Sequence, residues 1–189
     1  MKSILSGILI GIGGTIYLSV ENKIVGSILF SIGLLSICYL KLPLYTGKIG
    51  YLIKKEVSIY DFFYILMGNI LGALITGLVI GYSKSNIYEL ALNLINNKHQ
   101  INYLIVLINS IFCGILMYIA VNTFKENKSI IGILFAVPVF IPSGFEHSIA
   151  YCFYAGAARN IDLLFLLVAA VGNSLGGFLI PLVERSQLN

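Results

Sequence analysis

The sequence has no tryptophan, three cysteines, two histidines and four prolines in 189 residues, and only 11% of it is charged. Each scarcity excludes something. No run of basic residues is interleaved with exposed aromatics, so a nucleic-acid surface is not expected. Cys38, Cys113 and Cys152 are odd in number, far apart, and set in or beside apolar runs, which reads as buried thiols. With no C-x-x-C pair and only His99 and His147 as imidazoles, neither a metal nor another cofactor is expected.

What is abundant is apolar: 58% of the residues are hydrophobic and the mean hydropathy is +0.94. Such a chain cannot present a water-facing surface, and it belongs in a lipid bilayer. A crossing needs about 20 apolar residues. The apolar runs are Ile4 to Val20, Ile24 to Leu44, Tyr60 to Tyr82, Ile101 to Phe124, Ile130 to Ala158 with an interruption, and Ile161 to Val183. They predict an all-α integral membrane protein of about six spans, a single transmembrane domain over 1–189 with no room for a soluble one.

The first run follows Met1-Lys2-Ser3 as a signal peptide would. Val20-Glu21-Asn22 offers no small-residue cleavage site, so the run reads as a retained first span. The net charge of +4 is carried between the runs, as topology signals. Placing the N-terminus inside puts Lys2, Lys48, Lys54, Lys55, Lys125, Lys128 and Arg185 inside, against Lys23, Lys84, Lys98 and Arg159 outside. That bias predicts a multi-pass protein of the cell membrane with both termini cytoplasmic.

Two internal echoes organise the chain. Gly68-Asn69-Ile70-Leu71-Gly72-Ala73 returns as Gly172-Asn173-Ser174-Leu175-Gly176-Gly177, and Pro43, where the second run breaks, returns as Pro142 in the fifth. Three spans with a broken middle one, repeated after an odd number of crossings, are inverted relative to each other, with repeats of about 1–83 and 101–185. The glycines, four apart, read as surfaces for close helix packing. The breaks free backbone groups that lipid cannot satisfy, so Leu42 to Gly47 and Ile141 to Gly144 are expected to face each other across a pore, half-helix N–H groups toward an anion.

His147 and Glu146 lie at the second break. Two readings of His147 stay open, a functional group of the pore or a polar residue stitching the broken helix. For Glu146 the expectation is structural, a carboxylate capping freed N–H groups at a helix start beside Ser143 and Gly144. Ser143 or Ser148 with His147 as a hydrolase pair is disfavoured, because immediate neighbours rarely align as nucleophile and base. No enzyme is expected.

Gly144-Phe145-Glu146-His147-Ser148-Ile149-Ala150 resembles the signature of the formate/nitrite transporter family. Lys23-Ile24-Val25-Gly26 to Leu34 is similar to the start of that family's second helix, Leu44-Tyr45-Thr46 to its Leu-Phe-Thr loop, and Gly68-Asn69 and Gly172-Asn173 to its third and sixth helices. The resemblance implies an aquaporin-like protomer of a homopentamer, with the second and fifth helices broken. It implies that His147 is the central pore histidine with Thr46 opposite. Phe30, Leu34, Leu44, Tyr45 and Phe140 then fall at the constrictions, and Lys98 at the outer vestibule. The substrate class implied is a small monovalent anion of a weak acid, such as formate, nitrite or hydrosulfide. Lys41 is expected to add a fixed positive charge near the first break, or else to snorkel to the interface. Departures are Gly114 where the family's fourth helix carries Asn, Tyr45 for Phe, no amphipathic N-terminal helix, and a short link over 155–162. The rival reading is a channel for neutral solutes such as ammonia or urea.

Overall fold

The computed structural model describes residues 1–186; the last three residues of the expected domain lie outside it. Among the described residues ten helices follow in order: α1 (Lys2–Ser19), α2 (Lys23–Tyr39), the short α3 (Tyr45–Lys48) and α4 (Gly50–Ile53), α5 (Ile59–Ser83), α6 (Ser85–His99), α7 (Tyr103–Asn127), α8 (Ile131–Phe140), α9 (Ser148–Ala158) and α10 (Leu163–Ser186). Among the described residues, α1, α5, α7 and α10 are long and apolar enough to cross a membrane, while α2, α8 and α9 are shorter apolar helices. The helical part of the second apolar run is thus α2, with the short α3 and α4 following the run's end at Leu44, while the fifth run is divided into α8 and α9.

Polar side chains fix where the helices start. The carboxamide of Asn22 accepts from the N–H groups of Ile24 and Val25, that of Asn102 from Leu104, and the Ser58 hydroxyl from Asp61. These bonds satisfy donors that a helix start leaves unpaired. In α10 the Asp162 carboxylate does the same for Leu164 and Phe165.

Packing follows the glycines. Helix α1 lies against α5 and α7 against α10. A β-carbon on Gly72 would meet the carbonyl oxygen of Ile4, and one on Gly176 that of Ile111. The backbones therefore approach as small-residue stripes allow. All eleven residues of α9 are buried, making it the central element. On α5 the opposite holds, with Tyr60, Phe63, Tyr64, Met67, Leu78 and Tyr82 facing outward. An apolar face of this size suits lipid or another membrane-embedded subunit rather than water.

One element was not expected. The stretch after Ser83 reads as a loop, yet Ser85–His99 is helix. Ile87, Ala91 and Ile95 recur every fourth residue and are fully buried, and Leu92 and Leu94 beside them pack on the core, making one apolar face on an amphipathic helix. It packs on α9 and α5 and carries Lys98 and His99 in its last turn.

Candidate functional site: two helix breaks and the contact between them

Both breaks are built the same way. After α2, the Leu42 N–H donates to the Ile37 carbonyl and the Lys41 N–H to that of Cys38. After α8, Phe145 N–H donates to the Phe140 carbonyl and Gly144 N–H to that of Ile141. Each is a helix C-terminus closed by a pair of nested bonds around a left-handed residue. That residue is Lys41 (φ 53°) in one and Gly144 (φ 71°) in the other. The matching pair is therefore Lys41 with Gly144. The expected echo of Pro43 and Pro142 does not hold in register, since Pro43 follows the left-handed residue and Pro142 precedes it.

The chain then starts a new helix, and an asparagine from a neighbouring helix holds each start. Asn69 accepts from the Tyr45 N–H (2.6 Å) and donates to the carbonyls of Pro43 (3.1 Å) and Ser3 (2.7 Å). Asn173 accepts from the Ser148 N–H (2.9 Å) and donates to the carbonyls of Glu146 (2.8 Å) and Ser110 (2.9 Å). The first N–H of each half-helix, that of Tyr45 and that of Ser148, is thus held by a carboxamide. Both asparagines are fully buried.

The two breaks meet through side chains. Thr46 Oγ1 lies 2.9 Å from His147 Nε2, with Thr46 at 0% and His147 at 3% exposure. His147 also caps α9: the Ala150 N–H donates to its Nδ1 at 3.0 Å. An Nδ1 that accepts carries no proton, so the neutral ring holds its proton on Nε2 and donates it to Thr46. The threonine hydroxyl proton is left for a further acceptor. Neither imidazole nitrogen is bonded to a serine; the Ser148 hydroxyl has no partner among the described residues. Nδ1 thus does the helix stitching at the start of α9, while Nε2 faces Thr46 across the two breaks.

Aromatic and aliphatic groups crowd this contact. Phe140 stacks on the His147 ring with centroids 5.8 Å apart, and Phe30 meets Phe140 edge-on at 6.0 Å. Leu34, one turn beyond Phe30 on α2, and Leu44, at the start of α3, are buried in the same core. Tyr45 is elsewhere. Its ring lies on Phe62 at 4.9 Å, and its hydroxyl donates to the Ala170 carbonyl (2.9 Å) beside Ser174 Oγ (2.6 Å). Successive residues at a helix start point in different directions, so Leu44 and Tyr45 do not share a constriction.

A cavity opens on each side. One, of about 240 Å³, is lined by Phe140, His147, Lys98, Glu146 and Tyr151. Lys98 Nζ grips both oxygens of Glu146 at 2.6 and 2.7 Å. The Glu146 carboxylate is therefore the counter-ion of Lys98 and not the helix cap; His147 takes that place. Ser143 and Gly144 are exposed at the turn, with nothing near the Gly144 α-carbon. The other cavity, of about 610 Å³, is bounded by Leu44 and Gly47 and lined by Lys41, Lys48, Lys125 and Lys128. Of these, Lys48, Lys125 and Lys128 registered in the sequence only as topology charges.

A family model described as formate/nitrite transporter matches residues 1–184. No curated protein matches the chain. Among solved structures, one described as a pentameric formate channel with formate bound superposes with a TM-score of 0.84 at 20% identity, covering 100% of this chain and 95% of that one. A second, described as an FNT family ion channel, gives 0.80 at 18% identity, covering 100% and 88%. At these identities the likeness is one of fold.

Proposed function

Because this chain belongs to the formate/nitrite transporter family, we propose that it is a membrane channel for small monovalent anions of weak acids, of the formate, nitrite or hydrosulfide class. The observation that carries this reading is the Thr46 to His147 contact of 2.9 Å, set between two helix breaks with a cavity on either side. An anion enters through the Lys98 cavity or the lysine cavity, and at the latter the cluster of lysines draws it by positive charge. At Phe30, Phe140, Leu34 and Leu44 it sheds water, because apolar walls give water nothing to bond. His147 Nε2–H and the Thr46 hydroxyl replace the lost hydrogen bonds there. Whether the anion crosses charged or takes a proton at His147 is a property of that same pair.

The architecture we propose is six crossings in two inverted repeats, about 1–83 and 101–185, in a homopentamer of the cell membrane with both termini cytoplasmic. The matching roles of Asn69 and Asn173 support the repeat, and the outward apolar face of α5 supports burial against lipid or a neighbouring copy. On this reading the lysine cavity faces the cytoplasm.

Purified protein in liposomes tests the reading. Formate or nitrite is expected to carry current, and urea to produce no swelling beyond empty vesicles. Urea or ammonia flux without anion current would instead make it a neutral-solute channel.

A further inference from the structure

The two cavities differ in a way that conduction of a small anion does not require. The His147 cavity holds one lysine, and a buried carboxylate neutralises it. The lysine cavity is more than twice as large and is lined by Lys41, Lys48, Lys125 and Lys128. Among the described residues, Lys125 reaches Glu56 at 2.7 Å, and no carboxylate lies within ion-pair distance of Lys41, Lys48 or Lys128. Lys48 and Lys125 are pressed against one ring, their ammonium nitrogens 5.2 and 4.3 Å from the Tyr51 centroid. Two like charges held at one aromatic ring repel each other, Glu56 pairs with Lys125 alone, and a further counter-charge beside Lys48 relieves the repulsion. Lys41 and Lys128 close the ends of α2 and α7 in the left-handed region, at φ 53° and 55°, a conformation a lysine adopts only at a cost.

A space of about 610 Å³ holds on the order of 20 waters, far more than one small monovalent anion displaces. Leu44, one of the residues of the proposed apolar constriction, is part of its lining. An anion with several charges fits the lysines but cannot shed its water there. We propose that the lysine cavity binds a soluble multivalent anion of the phosphate type, which plugs the channel from that face. The site rests on the pore reading above only for its effect on current; the binding itself does not. The competing explanation is that these lysines serve only the carbonyl ends of α2 and α7, as Lys128 Nζ does at 3.0 Å from the Lys125 carbonyl.

Single channels in a planar bilayer, with pyrophosphate added to one chamber and then the other, separate these. Block is expected from one chamber only, and the Lys48→Gln/Lys125→Gln pair should raise the half-blocking concentration roughly tenfold or more. Lys48→Arg, which keeps the charge, should block like wild type. Equal block from both chambers, no block, or a double variant that blocks unchanged would overturn the site. Calorimetric titration of pyrophosphate into detergent-solubilised protein reads binding without current. Binding that weakens in the double variant keeps the site even where no anion current is found, whereas absent binding removes it even in a working channel. Repeating the titration in nanodiscs with and without phosphatidylglycerol identifies the source of the phosphate. Equal affinity in both supports a soluble ligand, and loss of pyrophosphate binding with the anionic lipid assigns the lysines to a lipid headgroup and overturns the plug.

Discussion

Asn69 and Asn173 make the same three hydrogen bonds at the two helix breaks, each accepting one N–H from a half-helix start and donating to two carbonyls. Alanine at either position strands one N–H and one loop carbonyl, that of Pro43 or Glu146, in a buried site, at roughly 1–3 kcal/mol for each group left unpaired, and removes a second bond to a helical carbonyl. Asn69→Ala and Asn173→Ala are each expected to lower stability by about 3 kcal/mol, since some carbonyls find other partners. Thermal unfolding of the detergent-solubilised protein checks this, with Asn→Asp failing as well because a carboxylate cannot donate.

Lys98 and Glu146 form a buried pair whose carboxylate side chain is 3% exposed. Removing one partner leaves the other as an uncompensated charge, which costs about 3 kcal/mol or more. Lys98→Met is expected to destabilise by that amount, and Lys98→Met with Glu146→Gln by clearly less than the sum of the single changes. A double-mutant cycle on thermal unfolding measures it; additive effects would mean that the two side chains do not hold each other.

The left-handed position at each break separates stability from charge. Gly144 has open space around its α-carbon, so Gly144→Ala costs only the conformational penalty, about 1 kcal/mol. Lys41→Gly relieves the same penalty and is expected to raise the melting temperature while lowering anion current. A variant that gains stability with unchanged current would leave Lys41 as a helix-end residue alone.

Asp162 opens α10 outside the membrane-spanning segments. Burial pushes its carboxyl up, but hydrogen bonds from the Phe165 N–H, the Tyr103 hydroxyl and the Leu164 N–H, with the nearby His99 charge, outweigh this and hold it below the ordinary carboxylate value of 3.8. A depressed folded value means stability that is present above the unfolded value and lost as pH falls through the folded one. Asp162→Ala is expected to cost about 1 kcal/mol at neutral pH, as a lost helix cap, and progressively less than that below about pH 4. Unfolding curves across pH test the sign.

Much of this was legible in the residues. Long apolar runs gave the long helices, and the prolines with interrupted hydropathy gave both breaks, because each signal is local. The glycine spacing gave the close helix pairs for the same reason. The partner of Glu146 was not legible, because Lys98 sits 48 positions away on a separate helix and only the packing of α6 on α9 brings them together. Asn69 and Asn173 stand inside a repeated motif whose glycines read as packing, and the asparagines' own role is not legible there, since a sequence does not show which carbonyls a carboxamide reaches. Tyr45 was placed with its neighbour Leu44, yet at a helix start adjacent side chains diverge. The lysine cavity is assembled from α2, α3 and α7 and exists only once they are packed.

The central claim is that anions are selected where His147 meets Thr46. Its most direct test is the relative conductance of formate, nitrite, hydrosulfide and chloride at two pH values, for wild type and His147→Ala in planar bilayers. Wild type is expected to favour the weak-acid anions with a pH-dependent conductance. His147→Ala, confirmed as folded by its unchanged helical circular dichroism, is expected to lose both the preference and the pH dependence. The same selectivity and pH response in the alanine variant would contradict the account.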